Sequence, residues 1–118
     1  MTGAPDAATA DAVARTVAES PLVKTALHGG DPHWGRILAA AGRAPVAVDA
    51  SRLDIHIGPV WVAEGGQARA YDEEDAHRAM LEDPVRIRVN LHAGEASGWV
   101  WTCDLTRGYV DINAHYRS

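Results

Sequence analysis

Val85-Arg86-Ile87-Arg88-Val89-Asn90-Leu91 is the stretch on which the fold turns. Val85, Ile87, Val89 and Leu91 point one way, and Arg86, Arg88, Asn90 and His92 the other. A strict period of two fits a half-buried strand and not a helix. Ala93-Gly94-Glu95 carries turn chemistry, so residues 96–105 are expected to return antiparallel beside it. In that partner Trp99, Trp101 and Cys103 share one face, and Val100 and Thr102 the other. Apolar residues on both faces predict a strand covered on both sides, in the middle of the sheet.

Upstream, Asp72 is placed to cap a helix in which Glu73, Glu74 and Asp75 occupy the positive first turn and Ala76, Ala79 and Met80 the buried face, with Asp83-Pro84 as its close. Capping and dipole compensation explain this acidic cluster better than paired catalytic carboxylates do. Before it, Leu53, Ile55 and Ile57 alternate with Asp54 and His56 as one strand, and Val60, Trp61 and Val62 form a second ahead of Glu64-Gly65-Gly66-Gln67. Gly58-Pro59 is expected to interrupt their pairing, giving a hairpin with an irregular connection. At the start, residues 1–5 read as a small, flexible lead-in. Asp6 caps a helix striped by Ala10, Val13, Ala14 and Val17, which Ser20-Pro21 ends. Residues 106–118, with Tyr109, Val110, Ile112 and Tyr116, carry enough apolar surface to dock. The order helix, run, helix, hairpin, helix, hairpin, tail predicts an α+β fold, a mainly antiparallel sheet with packed helices.

The segment between the first helix and the first strand is denser in signals. Residues 22–27 read as a buried strand or extended run, Gly29-Gly30 as a turn, and Asp31-Pro32 as the cap and first position of a helix. Trp34, Ile37, Leu38 and Ala41 would form its apolar face and Gly42 its left-handed stop. The string Leu22-Val23-Lys24-Thr25-Ala26 followed by Asp31-Pro32-His33-Trp34-Gly35-Arg36-Ile37 resembles the signature of the bifunctional ornithine acetyltransferase/N-acetylglutamate synthase family of arginine biosynthesis. The resemblance runs on through Asp72-Glu73-Glu74, Ala76-His77, Arg86-Ile87-Arg88-Val89, Leu91, Cys103-Asp104-Leu105-Thr106, Tyr109-Val110, Ile112-Asn113-Ala114 and Tyr116, nearly the whole chain. His33 departs from it, standing where the family nearly always has Asn.

This resemblance implies that residues 1–118 are a single C-terminal domain segment of a larger two-chain, Ntn-like α/β sandwich. In the family the precursor cuts itself. The freed N-terminal threonine, with its own α-amine as base, then carries acetyl from N-acetylornithine, or from acetyl-coenzyme A, to glutamate through an acyl-enzyme. That threonine is not in this chain, so no catalytic residue is assigned. Thr2 sits in no cleavage-like sequence, and Thr25 is internal, without a base beside it. The implied substrate-binding residues are Asn113 and Ser118, which match an asparagine five residues before the family's end and its final hydroxyl. The implied partners are N-acetylornithine, glutamate and acetyl-coenzyme A, together with the missing upstream and first-chain segments, in a hetero-oligomer of cleaved chains. The competing reading is a truncated scaffold or binding module that catalyses nothing.

Composition narrows the rest. The 118 residues hold 11 basic and 16 acidic side chains, a net charge of −5, with no basic stripe, which argues against nucleic-acid binding. No apolar run approaches the ~20 residues of a membrane span and no signal peptide is legible, so the expected location is cytoplasmic. Cys103 is the only cysteine, excluding an internal disulfide. His28, His33, His56, His77, His92 and His115 are scattered and are not read as a metal site, and no cofactor is expected. Lys24, set among apolar residues, is read as snorkelling or paired rather than catalytic. Gly29-Gly30 before a helix start could offer backbone N–H groups to an anion, though the turn needs glycine in any case.

Overall fold

The computed structural model describes residues 3–28, 34–82, 84–103 and 109–113, with residues 27, 28, 103 and 109–113 described by their backbone alone. Helix α1 (Ala7–Glu19) starts where Asp6 Oδ1 accepts from the N–H of Thr9 at 2.7 Å. Ala10, Val13, Ala14 and Val17 are fully buried, as their spacing requires. Ser20 ends α1 through its N–H, donated to Val17 O, and begins the next element. Its Oγ accepts from Val23 N–H at 3.4 Å and its carbonyl from Lys24 N–H at 3.0 Å.

That next element is helix α2 (Pro21–His28), which corrects the expected strand at residues 22–27. A six-residue apolar run has too little periodicity to separate the two states. The deciding signals are Ser20 at the cap and Pro21 at the first helical position, where a missing N–H costs nothing. Val23 and Ala26 face the core and Leu22 faces water, a helical spacing. The Gly29-Gly30 turn, the Asp31 cap, Pro32 and the departure at His33 lie outside the described residues.

Helix α3 (Trp34–Gly42) buries Ile37, Ala40 and Ala41 and leaves Trp34 and Leu38 half-buried. Gly42 is its last helical residue and not a left-handed stop; its φ is not positive. Two tight bonds, Arg43 N–H to Ala40 O and Ala44 N–H to Ala41 O, end the helix without one. A short 3-10 turn (Ala50–Arg52) then leads into the sheet.

Strands β1 (Asp54–Ile57) and β2 (Val60–Glu64) form the expected hairpin. Gly58-Pro59 does not interrupt it: Ile57 pairs with Val60 across this two-residue turn, and Gly58 supplies the φ of +56° that the turn needs. The irregularity is a bulge opposite Ile55/His56, where the register shifts. A short β3 (Gln67–Ala68) follows the turn at Gly65-Gly66. Helix α4 (Glu73–Met80) is capped as expected, Asp72 Oδ1 accepting from Glu74 and Asp75 N–H, and it buries Ala76, Ala79 and Met80. It ends at Leu81, before Pro84 is reached, and Asp83 lies outside the described residues.

Strand β4 (Val85–Asn90) has the expected alternation, with Val85, Ile87 and Val89 buried and Arg86 and Arg88 exposed. Its neighbours differ from expectation. The sheet order is β3-β2-β1-β4-β6-β5, so β5 (Val100–Cys103) is not the hairpin partner of β4. The tail strand β6 (Tyr109–Asn113) lies between them, parallel to β4 and antiparallel to β5. Residues 109–113 thus lie in the interior of the sheet, and β5 is its edge strand among the described residues, with Trp99 and Trp101 55% and 52% exposed. The reason is that turn signals after β4 report a change of direction and not which strand fills the adjacent hydrogen-bonding row. Apart from the β4–β6 pair the sheet is antiparallel, and the fold is α+β.

Residues 3–5 are not a loose lead-in. Ala4 is fully buried and exchanges two backbone hydrogen bonds with Ala96, while Gly3 O accepts from Ala93 N–H. Gly3 has φ +71°, and a Cβ there would stand 2.3 Å from Asn90 Oδ1. The segment after β4 is therefore strapped to residues 3 and 4. It passes on to the far edge of the sheet, where Thr102 Oγ1 donates to Ala18 O of α1.

Candidate functional site

The alternation that buries one face of the sheet lays polar groups on the other. Strand register sets four backbone positions in a row: Asn113 of β6 is opposite Arg88 of β4, Arg88 opposite His56 of β1, and His56 opposite Trp61 of β2. A second row runs from Trp101 through Asp111 to Arg86. Asn113 is thus positioned by backbone pairing at the C-terminal end of an internal strand. Its side chain, all of Ser118, and Thr2 lie outside what is described.

His56 is the most constrained group in the first row. Its ring stacks on Trp61 at 5.4 Å and 10°, and the Arg69 guanidinium lies 3.7 Å over the same indole, itself paired with Glu64 at 3.2 Å. Burial, and next the Arg88 guanidinium, hold the His56 imidazole below its ordinary pKa; Arg69 acts in the same direction and Asp54 against them. His56 Nδ1 is buried with no hydrogen-bond partner among the described residues.

A second cluster closes the same end of the sheet. Asp54 Oδ2 lies 2.8 Å from His92 Nε2, and Asp54 Oδ1 accepts from Gly65 N–H at 3.0 Å. Asn90 Oδ1 accepts from His92 N–H, and the Arg52 guanidinium donates to His92 O. Asp54 and His92 have the composition of a catalytic dyad, and among the described residues no nucleophile is hydrogen-bonded to either side chain. The hydrogen bonds they make serve to close a loop. Among the described residues no group of three His, Cys, Asp or Glu could hold a metal ion.

Other sequence candidates fall elsewhere. Lys24 is half-buried on α2. Thr25, expected on a strand, is exposed on the same helix with Oγ1 donating to Pro21 O at 2.8 Å. Sequence reasoning missed His56, Trp61 and the Asp54–His92 contact. The alternation of β1 places His56 on the outer face, but no local signal pairs residues 38 positions apart.

The ArgJ family, as a sequence family, matches residues 1–118. The chain belongs to the ArgJ family. It is 47% identical to the arginine biosynthesis bifunctional protein ArgJ of Parasynechococcus marenigrum (strain WH8102), over 97% of this chain and 28% of that protein. It is 44% identical to the protein of the same description from Gluconobacter oxydans (strain 621H), over 100% of this chain and 28% of the other. The crystal structure of arginine biosynthesis bifunctional protein ArgJ from Bacillus halodurans superposes with a TM-score of 0.86 at 41% identity, covering 91% of this chain and 51% of that one. The resemblance expected from residues 22–37 onward therefore holds, as does the α+β fold. The chain spans little more than a quarter of the length of the curated ArgJ proteins it matches. No helix among the described residues is long and apolar enough to cross a membrane.

Proposed function

We propose that this chain is the C-terminal segment of a glutamate N-acetyltransferase, which moves acetyl from N-acetylornithine, or from acetyl-coenzyme A, to the α-amine of glutamate. The observation that carries the reading is the ArgJ-family match over all 118 residues, at 44–47% identity to bifunctional ArgJ proteins. In this reading a threonine supplied by the rest of the protein attacks the acetyl carbonyl, its proton passing to its own α-amine, and ornithine leaves. The ester then yields its acetyl group to the amine of glutamate. This chain contributes recognition. Ornithine and glutamate share an α-carboxylate, which the Asn113 amide and the Ser118 hydroxyl can bind without adding a charge that favours either substrate. The docking of β6 inside the sheet supports that role, because a strand hydrogen-bonded on both sides delivers Asn113 to a fixed position.

The test is co-expression of this chain with the remaining polypeptide of an ArgJ-family protein, followed by assay of acetyl transfer from N-acetylornithine to glutamate. Activity that needs both parts is expected. Assembly without any transfer, under conditions where the intact relative is active, would sink the acetyltransferase reading and favour a scaffold.

A further inference from the structure

The two edges of the sheet are finished differently. At one, β3 is two residues long, Gln67 and Ala68, too short to template another strand. At the other, β5 runs over four residues and is paired only with β6 among the described residues, so one row of its backbone groups has no strand neighbour. Thr102 faces α1 through its bond to Ala18 O, which turns Trp101, and Trp99 with it, to the opposite face. There the two indoles meet edge-to-face at 5.7 Å, more than half exposed. An open edge four residues long, beside two tryptophans in contact, combines a backbone template with a large apolar surface that water covers poorly.

The length of the relatives says what is available to cover it. The chain matches 28% of the curated ArgJ proteins and about half of the Bacillus halodurans chain whose fold it shares at a TM-score of 0.86. In such a protein a similar length of polypeptide is attached to this domain and is available to cover it. The opposite edge is blunted, and helices already pack along the sheet, α1 on β5 and β6, α3 on β1, and α4 on β1, β2 and β4. The geometry points to the edge of β5 that no described strand pairs, with the Trp99–Trp101 pair, as the seat of an extended, apolar segment from the part of an ArgJ-family polypeptide outside this chain. The segment adds a strand to β5 and lays alternate side chains on the indoles. This inference rests on the reading above, that the chain works joined to more polypeptide.

The experiment uses the co-expressed assembly labelled throughout with 5-fluorotryptophan, the variants below being made in this chain only. Single tryptophan-to-phenylalanine variants assign its four fluorine resonances, and a soluble gadolinium chelate reports their accessibility. In the assembly the Trp99 and Trp101 signals are expected to lose most of their paramagnetic broadening. Trp101→Lys is expected to reduce co-purification at least tenfold. Leu81→Lys, which alters an exposed apolar residue away from β5, leaves it unchanged. Assembly with Trp99 and Trp101 still fully broadened, or undiminished with Trp101→Lys, overturns this inference and leaves the acetyltransferase reading standing. Failure of the unaltered chain to associate at all overturns both.

Discussion

His92 Nε2 lies 2.8 Å from Asp54 Oδ2, and this contact pins the left-handed residue that follows β4. Asp54 is the more deeply committed partner: its side chain is 13% exposed against 45% for His92, and it also accepts from Gly65 N–H. Asp54→Ala is expected to cost about 2 kcal/mol, because it strands two donors, and His92→Ala about 1 kcal/mol, because the ring is half in water. His92 has φ +52°, a conformation that disfavours any residue with a Cβ. His92→Gly should therefore be less damaging than His92→Ala by roughly 1 kcal/mol. Urea unfolding of the three variants checks the order; equal losses for Ala and Gly at position 92 would show that the backbone is not strained there.

Two glycines predict opposite outcomes. Gly66 has φ +73°, and a Cβ there would stand 2.3 Å from Ala50 O, a backbone atom with no side-chain freedom to retreat. Gly42 is helical with open space around its Cα. Gly42→Ala should stabilise the chain by about 0.5–1 kcal/mol, whereas Gly66→Ala should destabilise it by more than ~2 kcal/mol. Midpoints of urea unfolding decide both.

Burial, then Arg88, depress the His56 imidazole in the folded state. The unfolded chain then takes up that proton first, so the contribution of His56 is fully present above about pH 6.5 and shrinks as pH falls through that value. His56→Phe keeps an aromatic ring against Trp61 and removes the titration. Its stability should therefore fall less than that of the unaltered chain between pH 7 and pH 5, as read from urea midpoints. An equal fall in both would show that His56 does not carry the dependence. Asp6 and Asp49, lowered mainly by hydrogen bonds from Thr9 and Ser51, act only at more acid pH, below the usual carboxylate range.

On the proposed reading, Asn113→Ala and deletion of Ser118 in the assembled protein should each leave the substrate carboxylate short of one hydrogen bond. Such a bond to a charged group is worth ~1.5–3 kcal/mol, so the Michaelis constants for N-acetylornithine and glutamate should rise together by about one to two orders of magnitude. Self-cleavage is checked first, since its loss would move the effect to folding. Unchanged constants for both substrates would remove Asn113 and Ser118 from the site.

The parts of this fold that were legible are those whose signals are local. The stripe of α1, the alternation of β4 and the Asp72 cap each fit within a few residues, and each was found where expected. The failures are of two kinds. At residues 22–27 the run is too short for periodicity, and the decisive residues, Ser20 and Pro21, serve twice, ending α1 and beginning α2. At β5 every local sign, two faces of apolar residues after a turn, was present, yet the location depends on a strand nine residues further along. Within the candidate site, Asn113 was reached only through the family resemblance. The row joining it to Arg88, His56 and Trp61 needs three strand registers at once, one of them bulged.

The insertion of β6 between β4 and β5 also orders events during synthesis. As the polypeptide leaves the ribosome, β1 to β4 and α1 can assemble with the outer side of β4 open, but β5 emerges with no neighbour to join. At about 5–20 residues per second, residues 109–113 follow within roughly a second or two. Until they do, the flank of β4 and the inner edge of β5 are both open to other nascent chains. A stop codon placed just before Tyr109 would therefore remove a central strand, separate β5 from the strand it pairs with among the described residues, and deliver to the cell a half-zipped sheet for chaperones and proteases to handle.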